Sequence, residues 1–195
     1  MTPFVLIPFK SLHNAKSRLS KILSQRERER IALKLFRGVL DATLRVVEPE
    51  KIVIVTDDIE ILSLAEQRCT QHYKCTRTLG LNAALRAAIP SSAEAVLVLH
   101  ADLPLIKSDD IVSMIQVGEG NRVVIAPDRH AVGTNALFLK PPDLIKFSFG
   151  EKSFTTHESL AKSAGTGSKV IVRTGLSFDL DTADDFRDLK QITNF

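Results

Sequence analysis

The chain has 195 residues, of which 44% are hydrophobic and 25% charged, enough to bury one core and to be read as a single domain over residues 1–195. That balance excludes a disordered chain and a collagen-like repeat. With 26 basic against 23 acidic residues the net charge is +3, too small for whole-molecule attraction to nucleic acid, and no run reaches the roughly 20 apolar residues that cross a bilayer.

In chain order, Phe4-Val5-Leu6-Ile7 reads as a buried strand that ends at Pro8 and feeds a polar loop through Ser20. Ser24-Gln25-Arg26-Glu27 has capping-box spacing. Ile31, Leu35, Phe36, Val39, Leu40, Leu44 and Val47 then recur three or four apart, which predicts a long helix stopped by Pro49. A second buried strand is expected at Lys51-Ile52-Val53-Ile54-Val55, a helix from Ile59 to Arg68, and a short strand from Lys74 to Thr78. Gly80-Leu81-Asn82 leads into a helix over Ala83 to Ala88, which Pro90 ends. Ala95-Val96-Leu97-Val98-Leu99 is the clearest strand, and Ser108 is expected to cap a helix with Asp109 and Asp110 in its first turn. Strands follow at Arg122 to Ala126 and Ala136 to Lys140, then a helix over Phe154 to Ala164, a strand at Lys169 to Arg173, and a last helix capped by Thr182. This alternation predicts an α/β fold with a mainly parallel mixed sheet and helices on both faces, its ligands lying outside the C-terminal strand ends.

Several chemistries are excluded. Phe9-Lys10-Ser11-Leu12-His13-Asn14 has no glycine, so the first strand opens no dinucleotide-binding turn. Gly165-Thr166-Gly167-Ser168-Lys169 lacks the order of a phosphate loop, there is no GxSxG elbow, and the five histidines show no HExxH spacing. Cys69 and Cys75, the only cysteines, form no CxxC pair, which sets disulfide and zinc frameworks aside. The short apolar run at the N-terminus is not a signal peptide, so a cytoplasmic protein is expected.

Four loops remain at strand ends: Pro8 to Leu19, Thr78 to Asn82, Ala101 to Pro104 and Ser177 to Thr182. Asp102 ends the strongest strand. Asp179 and Asp181 are two apart in an extended stretch, so both point to one side. Three carboxylates could meet one hard cation, and magnesium takes one or two carboxylates together with substrate phosphates. The competing explanation is capping, of a turn before Pro104 by Asp102 and beside Thr182 by Asp181. Lys10, Lys16 and Arg18 share the loop after the first strand and suit a polyphosphate. The Asn82 amide and the backbone near Gly80 are candidates for reading a purine edge.

Five segments together resemble the 2-phospho-L-lactate guanylyltransferase family. They are Ile7-Pro8-Phe9-Lys10 with Ala15-Lys16-Ser17-Arg18-Leu19, Leu81-Asn82-Ala83-Ala84-Leu85, Ala101-Asp102-Leu103-Pro104-Leu105, Gly133-Thr134-Asn135-Ala136-Leu137, and Phe149-Gly150 with Ser153-Phe154, followed by Asp179-Leu180-Asp181-Thr182. ADLPL alone occurs in many nucleotidyltransferases, whereas AKSRL with GTNAL and FGxxSF is specific. The resemblance implies a fold of the nucleotide-diphospho-sugar transferase type, GTP as cosubstrate, Mg2+ as cofactor, and a role in coenzyme F-420 biosynthesis. It implies that Thr134, Gly150 and Ser153 bind a phosphorylated acid, with Gly133 and Asn135 beside them, and that Asp102, Asp179 and Asp181 bind the metal. The acid would be 2-phospho-L-lactate, phosphoenolpyruvate or 3-phospho-D-glycerate, its phosphate attacking the α-phosphorus of GTP, with Lys10, Lys16, Arg18 and Asp102 as the catalytic set. No nucleic-acid or membrane partner is expected, and the unstable product would pass to the next pathway enzyme.

The chain departs from the family pattern at Val132, where a glycine is usual, and at Glu151-Lys152, where Pro-Gly or small residues are common. Two alternatives stay open. A nucleotidyltransferase acting on a sugar phosphate or molybdopterin would keep Asp102 but leave GTNAL and FGxxSF unexplained. A catalytically silent nucleotide-binding module is opposed by the three intact aspartates.

Overall fold

The computed structural model describes residues 2–75 and 79–193. The strands are β1 (Phe4–Pro8), β2 (Ile52–Thr56), β3 (Gln71–Lys74), β4 (Val96–Leu99), β5 (Val123–Pro127), β6 (Thr134–Leu139) and β7 (Lys169–Val170). They form one sheet in the order β3-β2-β1-β4-β6-β5-β7. Every neighbouring pair is parallel except the two that β6 makes, with β4 and with β5. β2, β4, β5 and β6 are buried at every position, which explains why they read as unbroken apolar runs rather than alternating ones.

The helices are α1 (Gln25–Leu44), α2 (Ile59–Gln67), α3 (Leu81–Ala87), α4 (Ser108–Gly120), α5 (Ser153–Ser163), α6 (Thr174–Ser177) and α7 (Ala183–Ile192). On one face Phe36, Val39 and Leu40 of α1, Ile61 of α2, and Ile111 and Met114 of α4 pack with Ile7, Ile54 and Leu97 of the sheet. On the other, Leu85 of α3 and Ala161 of α5 join Phe147 and Phe149 over Leu6, Val98 and Leu137. The expected α/β architecture with helices on both faces is therefore present. A third cluster, Leu19, Leu35, Phe178, Leu180 and Leu189, ties α7 and residues 178–180 to α1 and the loop after β1. Leu19 and Leu180 are fully buried, each worth about 1.5–3 kcal/mol of transfer free energy. Beside this small cluster Asp181 meets Lys16 and Arg18.

Local sequence explains the main boundaries. Ser24 and Glu27 cap α1 reciprocally, and Thr182 and Asp185 do the same for α7. Other boundaries differ from expectation. α1 ends at Leu44, before Pro49, which instead opens a 3-10 turn over Pro49–Lys51. The strand expected at Lys74 to Thr78 lies earlier, as β3, because edge pairing with β2 runs from Val53–Gln71 to Thr56–Lys74; Thr76 to Thr78 fall outside the described residues. Ser108 does not cap α4: Lys107 holds that position, its N–H donating to Asp110 Oδ2 at 2.9 Å, while the Ser108 hydroxyl donates to the Ala42 carbonyl of α1. The strand expected at Lys169 to Arg173 stops at Val170, because Arg173 turns to Asp110 (Nε to Oδ1, 2.6 Å) and leads into the unforeseen α6.

The parallel strands place the ends of β1, β2, β4 and β5 along one edge of the sheet. Because β6 runs the other way, its first residues, Thr134 and Asn135, lie at that same edge, where the His100 N–H donates to the Asn135 carbonyl at 3.0 Å. Among the described residues no helix is long and apolar enough to cross a membrane.

Candidate active site

β6 sends consecutive side chains to opposite faces of the sheet, and this divides the site. Asn135 faces the carboxylates, its amide donating to the Leu176 and Ser177 carbonyls at 3.0 and 3.3 Å and to Asp179 Oδ1 at 3.4 Å. Thr134 faces α5, where its hydroxyl meets His157 Nδ1 at 3.0 Å.

In the carboxylate half, Lys16 Nζ donates to Asp102 Oδ2 at 2.8 Å and to Asp181 Oδ1 at 3.1 Å. Arg18 reaches Asp181 Oδ2 at 3.2 Å. Two of the three basic residues expected to face a polyphosphate are thus engaged with the aspartates, whereas Lys10 is exposed at the end of β1. Lys16 adopts a left-handed backbone, φ 50°, uncommon for a residue with a Cβ. The loop around it is held by Arg28, whose guanidinium donates to the Ala15 carbonyl at 2.8 Å. Burial works against the charged forms of Lys16 and Asp102, yet their mutual attraction outweighs it, so the ammonium titrates above and the carboxyl below the ordinary value. For Asp179 the balance goes the other way. Burial, then the Asp102 and Asp181 charges, push its carboxyl up to about 6.

The acceptor half is built on two loops. Asp128, which the sequence reading missed, holds the first: its carboxylate accepts from the N–H groups of His130, Val132 and Gly133 at 3.1, 2.9 and 2.8 Å. An aspartate directly after a strand and its proline is the signature of such an Asx-type turn. A Cβ at Gly133 would lie 2.8 Å from Asp128 Oδ2, so any other residue there would displace the carboxylate that holds this turn. The second loop runs from Ser148 to Lys152, with Gly150 at φ 134°, a value that favours glycine. Lys152, at φ 56°, holds the cap position of α5, so Ser153 begins the helix proper. Thr134 and Ser153 are each 2% exposed, and the Ser153 N–H donates to the Gly150 carbonyl at 3.2 Å.

Asn82, expected to read a purine edge, clamps this loop: its Oδ1 accepts from the Phe149 N–H at 2.8 Å and its Nδ2 donates to the Phe149 carbonyl at 3.0 Å. Among the described residues the second amide hydrogen has no acceptor. Gly80 is exposed at the start of α3. Two histidines that motif searches set aside also belong here. His100 packs at a tilt against Phe149, 5.1 Å between ring centroids, and Phe149 and His157 meet edge to face at 5.0 Å. No local pattern marks these histidines; only the folded sheet brings positions 100, 149 and 157 together.

Asp102 Oδ1, His100 Nε2 and Ser177 Oγ are buried with no hydrogen-bond partner among the described residues. Unmet polar atoms of this kind cost about 1–3 kcal/mol each and cluster where a ligand is received. Among the described residues no group of three or more His, Cys, Asp or Glu side chains is disposed to hold a metal ion, since the Lys16 ammonium stands between Asp102 and Asp181. The donor chemistry nonetheless fits a hard cation: all-oxygen ligands, one carboxylate oxygen without a partner, and an Asp179 whose charge is opposed by its neighbours.

Comparison with known proteins follows the same lines. Residues 3–192 match the family described as guanylyl transferase CofC like. A phosphoenolpyruvate guanylyltransferase from Rubrobacter xylanophilus is 38% identical, the match covering 97% of this chain and 94% of that one. A 2-phospho-L-lactate guanylyltransferase from Methanocaldococcus jannaschii is 31% identical, with 95% and 81% covered. A solved structure from Desulfovibrio desulfuricans G20, described as a nucleotide-diphospho-sugar transferase, superposes with a TM-score of 0.77 over 96% of this chain and 86% of that one at 13% identity, a likeness of fold. The chain belongs to the guanylyl transferase CofC-like family.

Proposed function

We propose that this protein is a Mg2+-dependent enzyme that joins the GMP moiety of GTP to the phosphate of a small phosphorylated carboxylic acid, releasing pyrophosphate, as a cytoplasmic step of coenzyme F-420 biosynthesis. The observation that carries the reading is the meeting, at one sheet edge, of an incompletely neutralised carboxylate cluster with a hydroxyl-lined, glycine-bordered loop pair. Phosphoenolpyruvate heads the list of acids, because the relative from Rubrobacter xylanophilus bears that name; 2-phospho-L-lactate and 3-phospho-D-glycerate complete it.

An oxygen of the acceptor phosphate attacks the α-phosphorus of GTP in line; the new P–O bond forms as the bond to the β-phosphate oxygen breaks, and pyrophosphate leaves with the electron pair. A phosphate needs no base to act as nucleophile, so alignment and charge neutralisation supply the rate. Asp102, Asp179 and Asp181 would hold Mg2+, which when bound offsets phosphate charge. Lys16 keeps Asp102 and Asp181 in register. Lys10 and the exposed Arg18 offer charge to the triphosphate, the Gly80 backbone and the spare Asn82 hydrogen meet guanine, and Asn135 orients Asp179. Thr134, Ser153 and the backbone at Gly133 and Gly150 receive the acid, and the α5 N-terminus favours its negative charge. The product's new diphosphate linkage is reactive, which suits hand-over to the next pathway enzyme.

Incubation with GTP, Mg2+ and each acid in turn, read as pyrophosphate release, tests the reading. Release with one or more of the acids and none without them is expected. Release with a sugar phosphate instead, or none at all, overturns it in favour of a different nucleotidyltransferase or a silent binding module.

A further inference from the structure

His157 is fully buried on α5, four residues after Ser153 and therefore on the same helix face. Its Nε2 lies 3.0 Å from the backbone nitrogen of Ser148, and its Nδ1 lies 3.0 Å from Thr134 Oγ1. A backbone N–H can only donate, so Nε2 is the acceptor and carries no proton. The neutral ring then bears its proton on Nδ1 and donates it to Thr134. The Thr134 oxygen is thereby used as an acceptor, and its own hydrogen is unspent: the hydroxyl makes no other hydrogen bond among the described residues. Burial, with His100 nearby, holds the His157 pKa down to about 4, so this neutral tautomer prevails at neutral pH.

We infer that His157 is a positioning residue that fixes the Thr134 hydroxyl as a hydrogen-bond donor to an anionic oxygen of the phosphorylated acid. The inference rests on the proposed role of Thr134 as an acceptor contact. It assigns the Ser148 N–H a part as well, because that bond selects the tautomer on which the orientation depends. The competing role for His157 is structural, pinning the loop through Ser148 and the Phe149 ring.

Two variants separate these roles. His157→Asn keeps an amide donor near the place of Nδ1 and loses the acceptor at Nε2; His157→Gln keeps an acceptor near Nε2 and loses the donor to Thr134. A positioning role predicts that His157→Gln raises the KM of the acid about ten-fold or more, with the KM for GTP unmoved, while His157→Asn stays nearer the parent. It also predicts that His157→Gln has no further effect in a Thr134→Val background. Nitrogen-15 imidazole NMR of the full chain, which needs no variant to fold, is expected to show protonated Nδ1 and bare Nε2 at neutral pH. Equal or reversed effects of the two variants, additive loss in the double variant, or a proton on Nε2 overturns the inference. If Thr134→Val raises the KM of the acid but His157→Gln does not, the positioning role falls and the acceptor site stands. If Thr134→Val leaves that KM unchanged, the assignment of the acceptor site fails, and the inference with it.

Discussion

Replacing Lys16 by methionine removes one charge while keeping an unbranched stem of similar length, and the structure says what that charge supports. The Lys16 side chain is 9% exposed and bridges Asp102 and Asp181 at 2.8 and 3.1 Å. Without it, among the described residues, Asp102 would have no ion-pair partner, with Oδ1 already unpaired, and the cluster would keep only the ion pair of Asp181 with Arg18, which is 73% exposed. One-sided removal of a buried pair costs about 3–5 kcal/mol. The Asp102 side chain is 28% exposed, so water recovers part of this and a loss of about 2–3 kcal/mol is expected. Urea unfolding without divalent cations should show a lower midpoint at unchanged slope. The double variant Lys16→Met with Asp102→Asn should regain more than about 1 kcal/mol of that loss, because it no longer buries an unpaired carboxylate. Mg2+ should raise the midpoint of Lys16→Met more than that of the parent. A loss below about 0.5 kcal/mol, within the range of ordinary surface changes, or strict additivity in the double variant, would refute the view that the ammonium neutralises this cluster.

Asp102→Asn is expected to abolish pyrophosphate release while leaving the far-ultraviolet circular dichroism unchanged, and normal turnover would remove Asp102 from the metal set. His100→Leu exchanges a buried nitrogen with no partner among the described residues for an apolar group and should raise Tm while lowering turnover, as a polar atom reserved for a ligand requires; a fall in Tm would mean that the ring contact with Phe149, or a partner of the nitrogen, outweighs the cost of the buried polar atom. Stability should depend on pH with two opposed contributions. His157 titrates near 4 folded against an ordinary 6.5, so the unfolded chain binds the extra proton and stability falls by about 3 kcal/mol as pH drops from about 6.5 to about 4, a slope that His157→Gln should lack in urea titrations. Asp179, raised to about 6 from 3.8, works the other way, its contribution being lost as pH rises through about 6; Asp179→Asn should erase that trend, and an unaltered pH profile would show that Asp179 is not held up by its neighbours.

The sheet was legible because its strands are apolar runs bounded by Pro8, Pro49 and Pro90, and the capped helices because Ser24 with Glu27 and Thr182 with Asp185 carry their own punctuation. β3 was misplaced because Gln71 and His72 on an edge strand need not be apolar. α6 escaped notice because its turn depends on Arg173 reaching Asp110, 63 positions away in sequence. At the site, Asp102, Asp179, Asp181, Lys16 and Arg18 could be expected to converge from their loops. That Lys16 and Arg18 would be spent on the aspartates, or Asn82 on the Phe149 backbone, is a matter of side-chain reach across the folded edge, to which one-dimensional spacing is blind. The histidines at 100 and 157 were invisible for the same reason.

Phosphorus-31 NMR of a mixture of the protein, GTP, Mg2+ and phosphoenolpyruvate tests the central claim most directly, because it sees every phosphorus atom at once. The account predicts loss of the GTP and phosphoenolpyruvate signals together, with stoichiometric pyrophosphate and a new pair of coupled diphosphate resonances joining GMP to the acid. Appearance of GDP with inorganic phosphate, or consumption of GTP while the acid stays intact, would contradict it.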